Sequence, residues 1–268
     1  MKILGIDTSS KFLNIALSED EDIIKEESHL LDRRQASQLI PIVKELLHKS
    51  KTPVKRIDAF VIGLGPGSFT GLRIGVSAIK GFGIATGKPC IGVASIDAIA
   101  CNAGENDRDI IPIIDAKRGQ VYAAIYRRKA GRVVRLSDYM VLPVAKLLKK
   151  MEPTRAIPRL RSGWLMDGER SRTKARGSLG GILSPDLSYR GECIKREPVF
   201  LGDGVSLYRE NILSADKKAI FLEEQYWYPG AGNLIRLGFS RIKKAKKPCL
   251  DKLTPLYLYP DDCQVRKP

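Results

Sequence analysis

The chain has 268 residues, with 46 lysines and arginines against 30 aspartates and glutamates and a formal net charge of +16 at pH 7. Apolar residues make up 43 % of it, which is enough to form hydrophobic cores and too much for a disordered chain, and the length predicts about two domains. The apolar stretches are short, whereas a membrane-spanning helix needs about 20 consecutive apolar residues. No apolar signal region develops before Asp7. We therefore expect a cytoplasmic protein without a membrane partner.

The cysteines and histidines argue against several kinds of chemistry. The five cysteines are far apart and form no CxxC pair, which is atypical of a disulfide framework or a thiolate zinc site. The two histidines, His29 and His48, each stand without a second ligand at helical spacing. We expect them to be surface residues, and we expect no metal site.

The first hundred residues alternate between strand and helix patterns. Residues 2–7 and 12–17 predict a hairpin across a polar turn, and residues 23–31 can pair as a third strand. Apolar residues at helical spacing predict a helix over 35–49, in which Pro41 is awkward. A strand over 57–64, a Gly-rich loop over 65–68, a helix over 70–86 closed by Gly87 and a strand over 90–93 follow. Ser95 is expected to N-cap the next helix.

The same pattern recurs in the second half of the chain. An apolar run over 110–115 ends in Asp115 and is followed by a turn and a strand over 120–126, as the run ending in Asp7 is. A strand over 198–201 precedes Gly202, Asp203 and Gly204, as the strand over 57–64 precedes its own Gly-rich loop. The repetition predicts a duplicated α/β fold with two related subdomains, each with a mixed sheet and helices, over 1–105 and 106–268.

The positive charge is concentrated in the second subdomain. Residues 1–100 carry a net charge of +2 and residues 101–268 carry +14. Residues 154–197 hold ten basic and five acidic residues with many turn formers, which predicts an insertion or long loop. Such a segment could attract a polyanion or simply be solvated, and both interpretations stay open.

A candidate anion or nucleotide cleft follows from the strand ends and the Gly-rich loop. A strand-end Asp beside hydroxyl groups, together with a Gly-rich turn that opens a helix, can hold phosphate oxygens. No Gly follows Asp7, however, and no Gly-Lys-Ser/Thr follows the loop, so purely structural turns are the favoured alternative. The candidate residues are Asp7, Thr8, Ser9, Gly65, Gly67, Ser68 and Asp115.

Three motifs carry a family resemblance. They are IDTS at 6–9, GPGSFTGLRIG at 65–75 and DAKRGQVY at 115–122. With the intervening residues they resemble the TsaB family of bacterial tRNA threonylcarbamoyladenosine biosynthesis proteins, over roughly residues 1–128 and again in parts of the C-terminal region. The resemblance implies the duplicated fold of actin, sugar kinases and heat-shock ATPases. It also implies partnership with the TsaD transferase and with TsaE.

The resemblance further implies that this chain is not itself an enzyme. TsaD carries a His-x-x-x-His metal pair at the start of the helix after its fifth strand, where this chain has Ser95 and Ile99. Isoleucine cannot bind a metal and a lone serine is a poor ligand. We therefore expect no catalytic residue and no cofactor of its own, with ATP and a metal in the partner complex and tRNA contacted indirectly. The alternative is a nucleotide-dependent phosphotransferase or hydrolase that uses Asp7 and Asp115.

The resemblance also implies that the helices over 35–49 and 70–86 form the partner interface. In the second helix, glycines at positions 71, 75, 81 and 83 could allow the partner to approach closely, or they could pack on the chain's own sheet. Because the partners would share a fold, a homodimer through the same surface is also expected when the partner is absent. The candidate interface residues are Ser37, Ile40, Lys44, Gly71, Arg73 and Gly75.

Overall fold

The computed structural model describes residues 1–31, 35–151, 197–245 and 250–258. The insertion predicted over 154–197 lies outside the described residues except at its last position. No helix of the described part is long and apolar enough to cross a membrane.

The first subdomain is built on a five-stranded sheet. Its strands are β1 (Lys2–Asp7), β2 (Phe12–Glu19), β3 (Asp22–Leu30), β4 (Ala59–Gly63) and β5 (Cys90–Val93), in the order β3-β2-β1-β4-β5. The first three pair antiparallel, and β1, β4 and β5 are parallel. Its helices are α1 (Gln35–Lys49), α2 (Phe69–Thr86) and α3 (Ser95–Cys101). The predicted hairpin, third strand and helices are confirmed, and Pro41 lies inside α1.

Alternation along the strands supplies both faces of this sheet. Leu4 and Ile6 point to the face covered by α1 and α2, whereas Ile3 faces the C-terminal helix α6 (Ala231–Lys244). Gly5 allows α6 to lie close, since a Cβ there would be 2.8 Å from Ile235 Cγ1 and 2.9 Å from a backbone oxygen of α6. The central strands β1, β2 and β4 are therefore buried on both faces, whereas the edge strand β3 is partly exposed.

The second subdomain repeats the arrangement. Its elements are β6 (Asp109–Asp115), β7 (Gln120–Ala123), β8 (Tyr126–Lys129), β9 (Arg132–Arg135), β10 (Met140–Pro143), α4 (Val144–Met151), β11 (Val199–Leu201), α5 (Val205–Ala215) and β12 (Ile220–Phe221). The sheet has the order β10-β7-β6-β11-β12, with the same strand directions as in the first sheet. A hairpin of β8 and β9 is added beside β6.

One predicted element of this half is wrong in detail. The single strand expected over 120–126 is divided into β7 and β8, because residues 124 and 125 leave the ladder between the two pairings with β6. There the backbone N–H of Ile125 donates to Ser137 Oγ at 2.9 Å instead of to a neighbouring strand.

The matching strand orders and directions confirm the duplicated actin-like α/β fold. In both halves three antiparallel strands of the sheet lead into a helix, a parallel strand, a Gly-rich loop and a second helix. The division at residues 105 and 106 stays a prediction. Helix α6 belongs to the second half in sequence and packs on the sheet of the first half.

Candidate functional site

The carboxyl end of β1 holds a buried carboxylate. Asp7 is fully buried, and its oxygens accept hydrogen bonds from Ser9 N (2.8 Å), Ser9 Oγ (2.7 Å) and Ser95 Oγ (2.5 Å). Burial raises the pKa of the Asp7 carboxyl, and the hydrogen bonds from Ser95 and Ser9 offset that effect only in part. The group is therefore held by this chain's own donors.

The Gly-rich loop packs on the turn that follows Asp7. Thr8 Oγ1 donates to the carbonyl of Gly71 at 2.8 Å, and Ser68 N donates to the carbonyl of Ser9 at 2.7 Å. Gly67 is required at its position, since a Cβ there would overlap the carbonyl oxygen of Ser9. Ser68, a candidate cleft residue, is the N-cap of α2, and its Oγ accepts from Gly71 N at 3.2 Å.

The structure does not support the predicted anion cleft at these residues. It does bring Asp7, Thr8, Ser9 and the loop glycines side by side. However, the polar groups of these residues form hydrogen bonds to one another. The side chains of Asp7, Thr8 and Ser9 are at most 5 % exposed. A phosphate placed among the Asp7, Thr8 and Ser9 side chains would have to displace these hydrogen bonds. We call this set of residues, together with Ser95, the turn cluster.

The predicted role of Ser95 as a helix N-cap is wrong. It is the first residue of α3 and not its N-cap, which is Ala94. Its Oγ donates to Asp7 and accepts from Gly65 N at 2.9 Å. The two side chains meet across Gly63 of β4, where a Cβ would overlap Asp7 Oδ2. This contact could have been expected from the topology, because β1, β4 and β5 are parallel neighbours and residues at their carboxyl ends share one edge of the sheet.

Asp115 occupies the matching position of the second repeat. Its oxygens accept from Lys117 N (2.8 Å) and Lys117 Nζ (2.6 Å), and its own N–H donates to Asp203 Oδ1 at 2.9 Å. Burial raises the pKa of Asp203. Asp203 was absent from the predicted site although it lies in the second Gly-rich loop. No hydrogen bond or ion pair within the described ranges joins Asp115 to Asp7.

A second buried carboxylate lies between the subdomains. Asp97 of α3 accepts from Tyr126 Oη at 2.7 Å and from Tyr139 Oη at 2.9 Å, and Arg135 Nη1 lies 4.0 Å away. Burial raises the pKa of Asp97, and the two tyrosines and Arg135 only partly reverse this. All these donors come from the second subdomain, so the cluster ties α3 to that half of the chain. Asp97 was absent from the predicted site.

A groove lies between α1 and α2 on the surface of the first subdomain. It has a volume of about 480 Å³ and an apolar wall. Ile40 is 38 % exposed, and Ser37, Lys44 and Arg73 are exposed as well. The residues lining it are Leu39, Ile40, Arg73, Ile74, Ser77 and Ala78. We call it the helix groove.

Two predicted interface residues point the other way. Gly71 and Gly75 are buried, and a Cβ at either position would overlap Thr8 of the same chain. Their small size serves the contact of α2 with the turn after β1, so their assignment to a partner interface is corrected. Gly81, in contrast, has open space where a Cβ would lie.

Comparison with known proteins identifies the family. The model of the family described as "TsaD: tRNA N6-adenosine threonylcarbamoyltransferase" matches residues 28–261. The tRNA threonylcarbamoyladenosine biosynthesis protein TsaB of Bacillus subtilis is 35 % identical over 155 residues, which cover 57 % of this chain and 68 % of that protein. The chain belongs to the TsaB family. The Escherichia coli protein of the same name is 35 % identical over 130 residues, which cover 48 % of this chain and 56 % of that protein.

A solved structure has the same fold along nearly the whole length of this chain. YeaZ from Pseudomonas aeruginosa superposes with a TM-score of 0.66 at 22 % sequence identity, covering 96 % of this chain and 99 % of the other. At this identity the likeness shows a shared fold.

The nucleotide and metal associated with actin-like folds do not fit the described residues of this TsaB family member. No group of three or more His, Cys, Asp or Glu side chains in the described ranges could hold a metal ion. His29 bonds to Glu27 at 2.9 Å and His48 is exposed, so both are surface residues as expected. The Gly65–Gly67 loop, which would face a phosphate, is packed on Ser9.

Proposed function

We propose that this chain is a non-catalytic subunit that binds and organises the TsaD transferase. The reaction is the threonylcarbamoyl modification of the tRNA adenosine next to the anticodon. Family membership places the chain with proteins named for this biosynthesis. In the proposed assembly TsaE is a further partner, tRNA is contacted through the complex, and ATP and a metal bind on the partner side.

The observation that carries the proposal lies at the start of α3. Ser95 and Ile99 stand where the TsaD resemblance implies metal-binding histidines. Ser95 is fully buried and bonds to Asp7 and Gly65, and Ile99 is 2 % exposed within the core shared by the two subdomains. Neither side chain is available to a metal, which supports a silent paralogue that acts through its surface.

The helix groove supports a protein partner. Monomeric proteins expose few large apolar side chains in one place, and such patches often mark interaction sites. Ile40 lines the groove and is exposed, and α2 also exposes Phe69 in its first turn and Ile84 in its last turn. A partner with the same fold could pack its own two helices against this face, and a second copy of this chain could do so in its absence.

The alternative enzyme would depend on Asp7 and Asp115. The Asp7 carboxylate already accepts three hydrogen bonds from its own chain, and Asp115 pairs with Lys117. Neither group is presented to a substrate, so we do not favour this alternative.

Reconstitution tests the proposal. TsaD and TsaE from the same organism are incubated with ATP, threonylcarbamoyl donor and tRNA, with and without this chain, and modified adenosine is measured by mass spectrometry. We expect modification only when the chain is present, and no ATP turnover by the chain alone. Equal modification without it, or ATP hydrolysis by the chain that Asp7→Asn abolishes, would contradict the proposal.

A further inference from the structure

An exposed cluster of one arginine and two aromatic rings lies at one end of the helix groove. The Arg73 guanidinium carbon sits 3.8 Å from the centre of the Phe69 ring, and its Nε donates to Tyr257 Oη at 3.3 Å. The two rings are 5.3 Å apart. Phe69 is 52 % exposed and Tyr257 is 50 % exposed. We call these three residues the arginine clamp.

The clamp is held in place by the C-terminal segment. Leu256 N donates to the carbonyl of Leu64 at 2.7 Å, and the Leu256 side chain packs against the core, which positions Tyr257 beside the first turn of α2. The planar guanidinium is thus fixed by stacking and by one hydrogen bond before any partner binds. Such preorganisation lowers the entropy lost on association.

The charge of Arg73 is not neutralised by the described part of the chain. Arg73 forms no ion pair with a described residue, and α2 contains no Asp or Glu. The acidic residue of α1, Glu45, is already 2.6 Å from Lys49. With Nε engaged, the two terminal nitrogens have the fork geometry that binds a carboxylate through two hydrogen bonds.

We propose that Arg73 binds a carboxylate of the partner subunit at the end of the helix groove, and that this contact favours that partner over a second copy of this chain. The inference rests on the proposed function, since it names the group that the partner must present to the same surface. In a two-fold symmetric homodimer each face meets an identical one. Two basic faces with no free carboxylate on α1 or α2 would then oppose each other, which disfavours that pairing.

The binding test uses Arg73→Gln, which keeps a polar side chain and removes the charge. The matched control is Lys146→Gln on α4, an exposed lysine without an ion pair to a described residue. Affinity for TsaD is measured by isothermal titration calorimetry, and folding is checked by thermal unfolding. We expect Arg73→Gln to weaken binding about 30-fold, as loss of an interface arginine often does, with Lys146→Gln unchanged.

Two results separate this inference from the proposed function. If wild-type chain binds TsaD and folded Arg73→Gln binds equally well, the inference fails and the proposed function stands. If wild-type chain does not bind TsaD, the proposed function fails and the inference with it. The homodimer is measured by sedimentation of the wild-type chain and of Arg73→Gln. The proposal is supported if the wild-type chain forms no homodimer, or if Arg73→Gln leaves the homodimer affinity unchanged or increases it. Equal weakening of homodimer and heterodimer overturns it.

A cross-linking experiment identifies the carboxylate. In Arg73→Lys the new amine can attack a carbodiimide-activated carboxylate, forming an amide and releasing the urea by-product. We expect a cross-link from position 73 to an Asp or Glu of TsaD, found by mass spectrometry. Asp261 and Asp262 of this chain lie outside the described residues, and a cross-link to them alone would overturn the proposal.

Discussion

The two faces of helix α2 have different surroundings, one packed against the same chain and one open. On one face Gly71 and Gly75 let the helix lie against Thr8, and no room remains for a methyl group. On the opposite face Arg73 and Ser77 border a groove that the described residues leave open. The same GPGSFTGLRIG motif therefore serves internal packing and an external surface in alternation. A motif this specific does not by itself say which of its residues meet a partner.

The largest expected effect is a loss of stability when a larger side chain is placed on the face of α2 that packs against Thr8. We expect Gly71→Val to destabilise the fold by about 3 kcal/mol, because the new side chain would overlap the backbone of Thr8. Urea unfolding measures the change. The control is Gly81→Ala on the same helix, which should stabilise the fold by about 0.5–1 kcal/mol since its Cβ meets open space. A folded, stable Gly71→Val that only loses TsaD binding would restore the interface assignment of this glycine.

In the helix groove we expect a substitution to weaken partner binding without lowering the stability of the fold. Ile40→Lys places a charge in the apolar wall of the helix groove and should weaken TsaD binding by about 2 kcal/mol, measured by calorimetry. Leu207→Lys is the matched control, because Leu207 is an exposed apolar residue of α5, the helix that corresponds to α2 in the second repeat. Equal losses in the two variants would mean that the groove has no special role.

The smallest expected effect is a pH dependence of the turn cluster. The folded-state pKa of Asp7 is raised by burial, so its contribution to stability is present below the unfolded-state pKa and is lost as pH rises through the folded-state value. Asp7→Asn removes this titration. The substitution also replaces one carboxyl oxygen by an amide nitrogen that cannot accept from Ser95 or Ser9, so the variant is less stable than wild type at low pH. We expect the difference in unfolding free energy to narrow as pH rises from about 4 to about 7, measured by urea unfolding. A difference that widens would show that the carboxylate is stabilised in the folded protein.

The comparison of the two repeats shows where sequence reasoning reaches its limit. Both repeats place an Asp at the end of their first strand, and the topologies match. Yet Asp7 is buried and bonded to Ser95, whereas Asp115 is partly exposed and pairs with its neighbour Lys117. Both aspartates were predicted to share one cleft. Their surroundings differ because the Asp7 carboxyl accepts from a side chain 88 positions away, whereas the Asp115 carboxyl accepts from its own turn.

The sequence by itself determined the order of the elements, the bounds of α1, the end of α2 at Gly87, the duplication and the family. These follow from local periodicity, capping residues and motifs, all of which act over a few residues. Only the tertiary structure decided that the polar turn is closed by Ser95, that Gly71 and Gly75 face inward and that Tyr257 joins Arg73. These contacts join residues up to 184 positions apart. Their geometry depends on how parallel strand ends and the C-terminal segment meet, which no local pattern encodes.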